Sequence, residues 1–235
     1  MKITHIKAND RGHMDHGWLN AHHMFNFANY YHPDRMGFGS LRVLNDDIIQ
    51  GGTGFPTHPH NNMEIITVPL EGALEHKDSM GNEGVIKSGE VQVMSAGTGV
   101  LHSEANAHAK EATNITQIWV IPNKKGVEPR YDQIKFSFDK NVLQQIVSPN
   151  EEDAGSWIHS NSWFNHGVFE EGETFTYELH TPENGLFVFL IDGQLDIKGN
   201  IIEPRDGFGI EEADSVEFQV KKDSRFLLME VPMNQ

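Results

Sequence analysis

GTGFPTHPHNNMEIITVPLEG, residues 52–72, contains His58 and His60, one residue apart. A second stretch, GEVQVMSAGTGVLHSEAN at residues 89–106, contains His102 and Glu104 with the same spacing. A β-strand points residues i and i+2 to one face, so each pair would direct two metal-ligating side chains at one point. Two such pairs rarely arise by chance on solvated strands, and the two stretches therefore predict a metal site on facing strands.

Composition excludes several classes of site. The chain has 34 acidic and 18 basic residues, and its net charge of −16 would repel a nucleic-acid backbone, so no direct nucleic-acid binding is expected. Cysteine is absent, which excludes disulfides, thiolate catalysis and Cys-based zinc or iron–sulfur centres. No stretch approaches the roughly 20 apolar residues of a membrane span, and the N-terminus lacks the apolar core of a signal peptide. A cytoplasmic location is the resulting expectation.

Short β-type segments separated by Gly, Asn and Asp predict an all-β chain without a long helix. Between residues 122 and 140 the sequence becomes rich in Pro, Lys and Gly, which predicts a domain junction there. We expect one domain at residues 1–130 and a second at residues 131–235. The predicted strands cover residues 41–49, 64–70, 73–77, 90–94, 114–121, 175–179, 186–191, 194–197, 215–220 and 225–231.

A weak repeat relates the two halves of the chain. PLEGALE at residues 69–75 is similar to LIDGQLD at residues 190–196, and a second glycine turn follows each of them. A duplicated β-barrel would produce this pattern. Aligning Gly72 with Gly193 places His58 and His60 opposite Leu179 and Thr181. With allowance for a shorter connection, His102 and Glu104 fall near Val220 and Lys222, so we expect the C-terminal barrel to keep the fold but lack the metal ligands.

The two opening stretches resemble the two cupin motifs, which lie on facing strands of a small barrel. The resemblance implies two tandem cupin barrels of the double-stranded β-helix, or jelly-roll-like, type. There are departures, since the first motif ends one residue late at Gly72 and the usual proline of the second is replaced. Two carboxylates have the strand parity needed to join the histidines, Glu64 on the first strand and Glu104 beside His102. Geometry alone leaves both open.

The N-terminal half is similar to the pirin family of bicupins over residues 11–131, in the segments GHMDHGWL, HHMFNFANYYHPDRMGFGSLRVLNDD, GFPTHPHNNMEI, LEGALEHKDSMGN, MSAGTGVLHSE and EPRY. Pirins bind one metal through three His and the Glu two residues after the third His. The resemblance therefore implies the ligands His58, His60, His102 and Glu104, and leaves Glu64 to orient a ligand or balance charge. It also implies iron(II) as the first choice of metal, although nickel, manganese, copper, cobalt and zinc suit the same ligands.

Several other residues carry separate predictions. Gln117 lies in an otherwise apolar strand, and the matching Gln of pirins lies near the metal, so it is a predicted substrate or water contact; a hydrogen bond at the barrel rim is the alternative. Phe55, Met63 and Met94 are predicted to line the mouth of the same pocket, although apolar residues near barrel strands are usually core. The other histidines are expected to be structural or surface residues, namely His5, His13, His16, His22, His23, His32, His76, His108, His159, His166 and His180.

A divalent metal held by three imidazoles and a carboxylate is compatible with dioxygenase, isomerase or binding roles. The pirin resemblance implies quercetin 2,3-dioxygenase activity, in which O₂ opens a flavonol with release of carbon monoxide and Glu104 accepts the proton of the 3-hydroxyl. One alternative is a metal-binding, redox-sensing regulator that binds transcription factors or metabolic enzymes. Another is an enzyme whose substrate is a different small enol or phenol.

Overall fold

The computed structural model describes residues 1–234, and these residues form an all-β protein, as predicted. They contain one short 3-10 turn, Ala8–Asp10, and no α-helix. None of them forms an apolar helix of membrane-spanning length. The strands are β1 (Lys2–Ile6), β2 (Gly12–Asp15), β3 (Leu19–His23), β4 (Leu41–Ile49), β5 (Gly54–His60), β6 (Glu64–Glu71), β7 (Ala73–Asp78), β8 (Glu83–Lys87), β9 (Glu90–Ser95), β10 (Val100–Asn106), β11 (Thr113–Val120), β12 (Arg130–Lys135), β13 (Val142–Ser148), β14 (Ser156–Trp157), β15 (Trp163–Phe169), β16 (Thr174–Glu178), β17 (Asn184–Ile197), β18 (Asn200–Ile202), β19 (Gly207–Glu211) and β20 (Ser215–Pro232).

The first barrel consists of two antiparallel sheets that face each other. One has seven strands in the order β12-β9-β6-β11-β4-β3-β2, and the other has four in the order β5-β10-β7-β8. Hydrogen bonds from Gln117 on β11 to Glu104 on β10 join the two sheets across the interior. Because side chains alternate along a strand, the seven-stranded sheet lines this interior with one face and presents the other to the second barrel.

The second barrel is a nine-stranded sheet with the path β1-β19-β17-β20-β15-β13-β14, to which β16 and β18 add at β20 and β17. Sequence analysis predicted two separate strands within β17 and two within β20, but each forms one long strand. Register shifts between Leu190 and Leu195 bend β17, and Gly193 in this bulge has a φ of +94°. The bulge bends the strand where a chain-reversing turn was expected.

The two barrels pack face to face through a shared hydrophobic core. Ile66, Val68 and Ile118 contribute to it from the first barrel, and Phe187 and Met229 contribute from the second. All of these side chains are fully buried. The outer face of the seven-stranded sheet is therefore buried by the second barrel, which fixes the position of the strands whose inner face lines the first barrel.

Two strands depart from a simple division at residue 130. The N-terminal strand β1 pairs with β19 of the second barrel. Strand β12, which starts at Arg130, pairs with β9 of the first barrel. Each barrel thus depends on chain from both sides of the predicted junction for its sheet, and the two halves are interlocked.

Candidate metal centre

A row of polar side chains crosses the interior face of the seven-stranded sheet. Gln117 pairs in register with Asn45 on one side and with Thr67 on the other, and Thr67 pairs with Gln92. Directly paired residues of an antiparallel sheet point to the same face. Since Gln117 reaches Glu104 of the opposite sheet, the whole row faces the strands that carry the predicted ligands.

Three of the four predicted ligands lie together on β5 and β10. His58 is the register partner of His102, and their ring centroids are 4.4 Å apart. The ring of His60 lies 4.9 Å from each of the other two rings. One ligand nitrogen from each histidine falls within 4.8 Å of the others. The turn before β10 requires a glycine at Gly97, because its φ is +44° and a Cβ atom would collide with the carbonyl of Val127.

The state of these imidazoles suits metal binding. The ring of His58 donates a hydrogen bond from Nδ1 to the Pro56 carbonyl at 2.8 Å, which leaves the lone pair of Nε2 free. Burial lowers the pKa of His60 to about 4 and that of His102 to about 3, so both rings are neutral near pH 7. Both ring nitrogens of His102 are buried without a hydrogen-bond partner. Neutral imidazoles with free nitrogens fit a divalent transition-metal ion.

Gln117 holds Glu104 in position. Nε2 of Gln117 donates to both carboxylate oxygens, at 2.9 and 3.1 Å, and Oγ1 of Thr67 donates to Oε1 of Gln117 at 2.7 Å. Burial raises the pKa of Glu104. Gln117, predicted to contact substrate, is thus observed to orient the predicted carboxylate ligand. Its contact with substrate stays a prediction.

The position of Glu104 differs from the one implied by the pirin resemblance, because Glu104 lies on the His76 side of His102. One of its oxygens forms a group with His102 and His76 in which all ligand atoms are within 4.8 Å of one another. The group formed by His58 and His60 with His102 does not include Glu104. His102 is therefore the residue that connects the two groups.

His76 is the residue that sequence analysis missed. It was expected to be structural or surface, and it is fully buried beside His102 and Glu104, in a group that could hold a metal ion. Strand pairing places it there, since His76 is the register partner of Glu104 between β7 and β10. A sequence signal did exist: His76 and Asp78 have the same i, i+2 spacing as the two pairs that were noticed.

The predicted pocket residues lie in different places. Phe55 is the register partner of Glu104, and its ring meets that of Trp18 edge to face at 5.1 Å. Met63 is half-buried and lines an open cavity at the barrel rim. Met94, by contrast, is 0% exposed and belongs to a hydrophobic cluster, so it is a core residue and does not line an opening.

Glu64 lies apart from both groups of ligand atoms. Its carboxylate accepts a hydrogen bond from Oγ of Ser95 at 2.6 Å and lies against the His159 backbone of the second barrel. Burial raises its pKa to about 7. The contacts of Glu64 are thus directed toward the interface between the barrels. No contact with a predicted metal ligand supports its predicted role in orienting a ligand or balancing charge.

The cavity that Met63 lines has a volume of about 470 Å³. Trp119 separates it from the histidines, because its ring lies 4.9 Å from that of His60 and 5.3 Å from that of Phe27, another lining residue. The indole N–H of Trp119 is buried without a partner. An apolar opening therefore lies one aromatic ring away from the cluster.

Within residues 1–234, both groups of His and carboxylate side chains that could hold a metal ion lie in the first barrel. The aligned residues of the second barrel have other surroundings, since Val220 belongs to its apolar core and Leu179 packs against that core. That the C-terminal barrel lacks metal ligands stays a prediction.

Two cupin barrels, the first with His and Glu side chains that could hold a metal ion, define a bicupin. The chain belongs to the pirin family: residues 5–120 match the model of the pirin family, and residues 145–231 match the model of the quercetinase C-terminal cupin domain. It is 40% identical to the quercetin 2,3-dioxygenase of Escherichia coli K12, with 96% of this chain and 97% of the relative aligned. It is 39% identical to a pirin-like protein of Caulobacter vibrioides, with coverages of 93% and 95%.

A solved structure with a bound metal ion has the same fold. The bacterial pirin YhhW from Escherichia coli, crystallised in complex with nickel(II), superimposes with a TM-score of 0.94 at 39% identity, covering 98% of this chain and 99% of that one. A metal ion therefore binds a protein of the same architecture. The donor set described above is compatible with such an ion in this chain.

Proposed function

We propose that this protein is a metal-dependent dioxygenase that opens a flavonol such as quercetin with O₂ and releases carbon monoxide. The observation that carries the proposal is the cluster of three histidines, His58, His60 and His102, near the buried carboxylate of Glu104, in a chain 40% identical to a quercetin 2,3-dioxygenase. In the overall reaction, the carbon that bears the 3-hydroxyl leaves as carbon monoxide, and both atoms of O₂ enter the ester product.

His58, His60, His102 and Glu104 are the residues that would hold the metal ion. Iron(II) and nickel(II) both suit imidazole and carboxylate ligands. When bound, such an ion supplies positive charge that favours the anionic form of a substrate hydroxyl and a redox-active centre for O₂. The protein fixes the imidazoles by strand pairing and by the hydrogen bond from His58 to Pro56.

Glu104 would accept the proton of the flavonol 3-hydroxyl at a carboxylate oxygen. Burial raises its pKa, which makes it a stronger base than an exposed glutamate. Gln117 fixes its orientation through two donated hydrogen bonds. The hydrogen bonds also keep the carboxylate solvated by the protein in a site that excludes bulk water.

Phe55 and Trp18 would position the aromatic rings of the substrate. Phe55 is the cross-strand partner of Glu104 in the pairing of β5 with β10, so a substrate ring packed on Phe55 would lie near the carboxylate. Trp18 extends this apolar surface by its edge-to-face contact with Phe55. Flat phenolic molecules bind well to such surfaces, since aromatic contacts bury much area at little conformational cost.

An oxygen electrode with parallel detection of carbon monoxide tests the proposal. Metal-loaded protein should consume O₂ with quercetin and release carbon monoxide in equal amount, but it should be inactive on luteolin, which lacks the 3-hydroxyl. Glu104→Gln should lower turnover by about 100-fold or more, because general-base catalysis contributes that much. Absence of quercetin-dependent O₂ uptake by the loaded protein would refute the proposal. Metal-dependent binding of a protein partner in that case would favour the regulatory alternative.

A further inference from the structure

His76 is held in a single tautomer by an acidic turn. Its Nε2 lies 3.1 Å from Oδ2 of Asp78, in a contact where both side chains are fully buried. Asp78 also accepts hydrogen bonds from the backbone of Met80 and from both the backbone and the side chain of Asn82. A carboxylate that accepts so many donors is an acceptor for His76 as well, so Nε2 carries the hydrogen and Nδ1 carries the lone pair.

The lone pair of His76 has no partner. Nδ1 is buried and makes no hydrogen bond. One ring nitrogen of His76 lies within 4.8 Å of ligand atoms on His102 and Glu104, and Nδ1 is the nitrogen available as a ligand because Nε2 carries the hydrogen toward Asp78. Two ligand atoms that share a transition-metal ion lie about 3 to 4 Å apart, since each bond is about 2.0 to 2.2 Å long. The spacing is therefore compatible with a cation between the three side chains.

Asp78 alone does not account for this arrangement. A histidine that only supported the turn after β7 would need Nε2 alone, for its hydrogen bond to Asp78. We would then expect its Nδ1 to have a hydrogen-bond partner or contact with water, because an unpaired buried polar atom costs about 1 to 3 kcal/mol. The ring is also fixed from the side by Tyr131, whose centroid is 4.8 Å away. A carboxylate that orients a histidine by one nitrogen and leaves the other free is a common support for metal ligands.

We propose that His76, His102 and Glu104 form an inner metal position, with Nδ1 of His76 as a ligand. This position differs from the outer one proposed above, because His76 takes the place of His58 and His60 while Glu104 is kept. His102 belongs to both, and its ring nitrogens are both buried without partners. The proposal concerns metal binding and does not depend on flavonol turnover.

The test uses a variant in which the outer position is removed. His58→Ala/His60→Ala retains all three inner ligands, and the metal-free protein is titrated with nickel(II) in competition with a coloured chelator. We expect it to bind nickel. Adding His76→Gln should lower that affinity by at least about 10-fold, because Gln keeps a donor for Asp78 but has no nitrogen at the position of Nδ1.

A matched control is His166→Gln in the same double-variant background. His166 is also buried with an unpartnered Nδ1, but it lies on β15 of the second barrel, where its ring contacts Phe136 and Arg225, and it belongs to neither group. It should leave nickel affinity unchanged. Circular dichroism and thermal unfolding of each metal-free variant confirm folding. The proposal is overturned if the folded double variant binds no nickel, or if His76→Gln leaves its affinity unchanged.

Discussion

The interiors of the two barrels differ in what fills them. The first contains the polar row, the three histidines and Glu104, and several of its buried polar atoms lack a partner, among them the amide of Gln92 and the carboxyl of Asp47. The second is filled with apolar side chains, including the stacked rings of Phe169, Phe175, Phe218 and Phe226. The same barrel architecture thus encloses polar, ligand-type side chains in one half and a mainly apolar core in the other.

This difference assigns a physical role to each half. Unpaired polar groups and neutral buried histidines lower the stability of a barrel, since each is desolvated without compensation. The second barrel buries apolar side chains in its own core, which stabilises the fold. It also covers the outer face of the seven-stranded sheet through the core that the two barrels share. Stability from the second barrel can therefore offset the polar interior of the first.

The largest expected effect on stability is from the aromatic stack of the second barrel. Phe226→Ala removes a fully buried ring that contacts Phe169 and Phe175, and should lower the free energy of unfolding by about 3 to 5 kcal/mol. Urea unfolding of metal-free protein measures this change. Nickel affinity of the folded variant should stay at the wild-type value. If affinity fell while stability did not, the division of roles between the barrels would be wrong.

A smaller effect is expected in the first barrel at Gln117. Gln117→Leu removes both hydrogen bonds to Glu104, and should weaken nickel binding by about 10- to 100-fold because the carboxylate loses its orientation. A matched control is Gln92→Leu, on the same row, whose amide atoms have no partner. Its replacement should leave nickel affinity within about 3-fold of wild type. Equal losses at both positions would contradict an orienting role for Gln117.

The smallest expected effect is a pH dependence of stability at Glu64. Burial raises its pKa in the folded protein to about 7 from an ordinary value of 4.5. Between these two pH values the unfolded chain has released the proton and the folded chain has kept it, so this group stabilises the fold at low pH and its contribution falls as pH rises. The loss amounts to about 1 to 3 kcal/mol.

Glu64→Gln should remove that dependence. The measurement is the difference in free energy of unfolding between metal-free wild type and variant, taken at several pH values from about 4 to 8. The variant should gain stability relative to wild type as pH rises. A difference that is flat across this range would show that Glu64 is ionised in the folded protein at acidic pH.

Strand parity allowed much of the site to be predicted from sequence. His58, His60 and His102 converge because each pair lies on one strand and the two strands are neighbours. Strand β4 begins and ends at the predicted residues, Leu41 and Ile49, because its apolar pattern is bounded by clear breaks. Local patterns of this kind depend on neighbouring residues only, which a single sequence contains.

Features set by long-range pairing could not be read in this way. His76 reaches the cluster because β7 pairs with β10 in one register among several. The same is true of β1, which joins a strand about 200 residues later in the chain. Gln117 was noticed as a buried amide, but its partner Glu104 lies on the opposite sheet, and no local spacing indicates that contact.

Elemental analysis most directly tests the claim that the first barrel alone carries the metal chemistry. Protein purified without added metal or chelator is compared with His102→Ala, which removes the residue common to both groups, and with His166→Ala as the control on β15 of the second barrel. We expect a stoichiometric transition metal in wild type and control, and its loss from folded His102→Ala. Wild-type protein without a stoichiometric metal, or His102→Ala with an unchanged content, would contradict it.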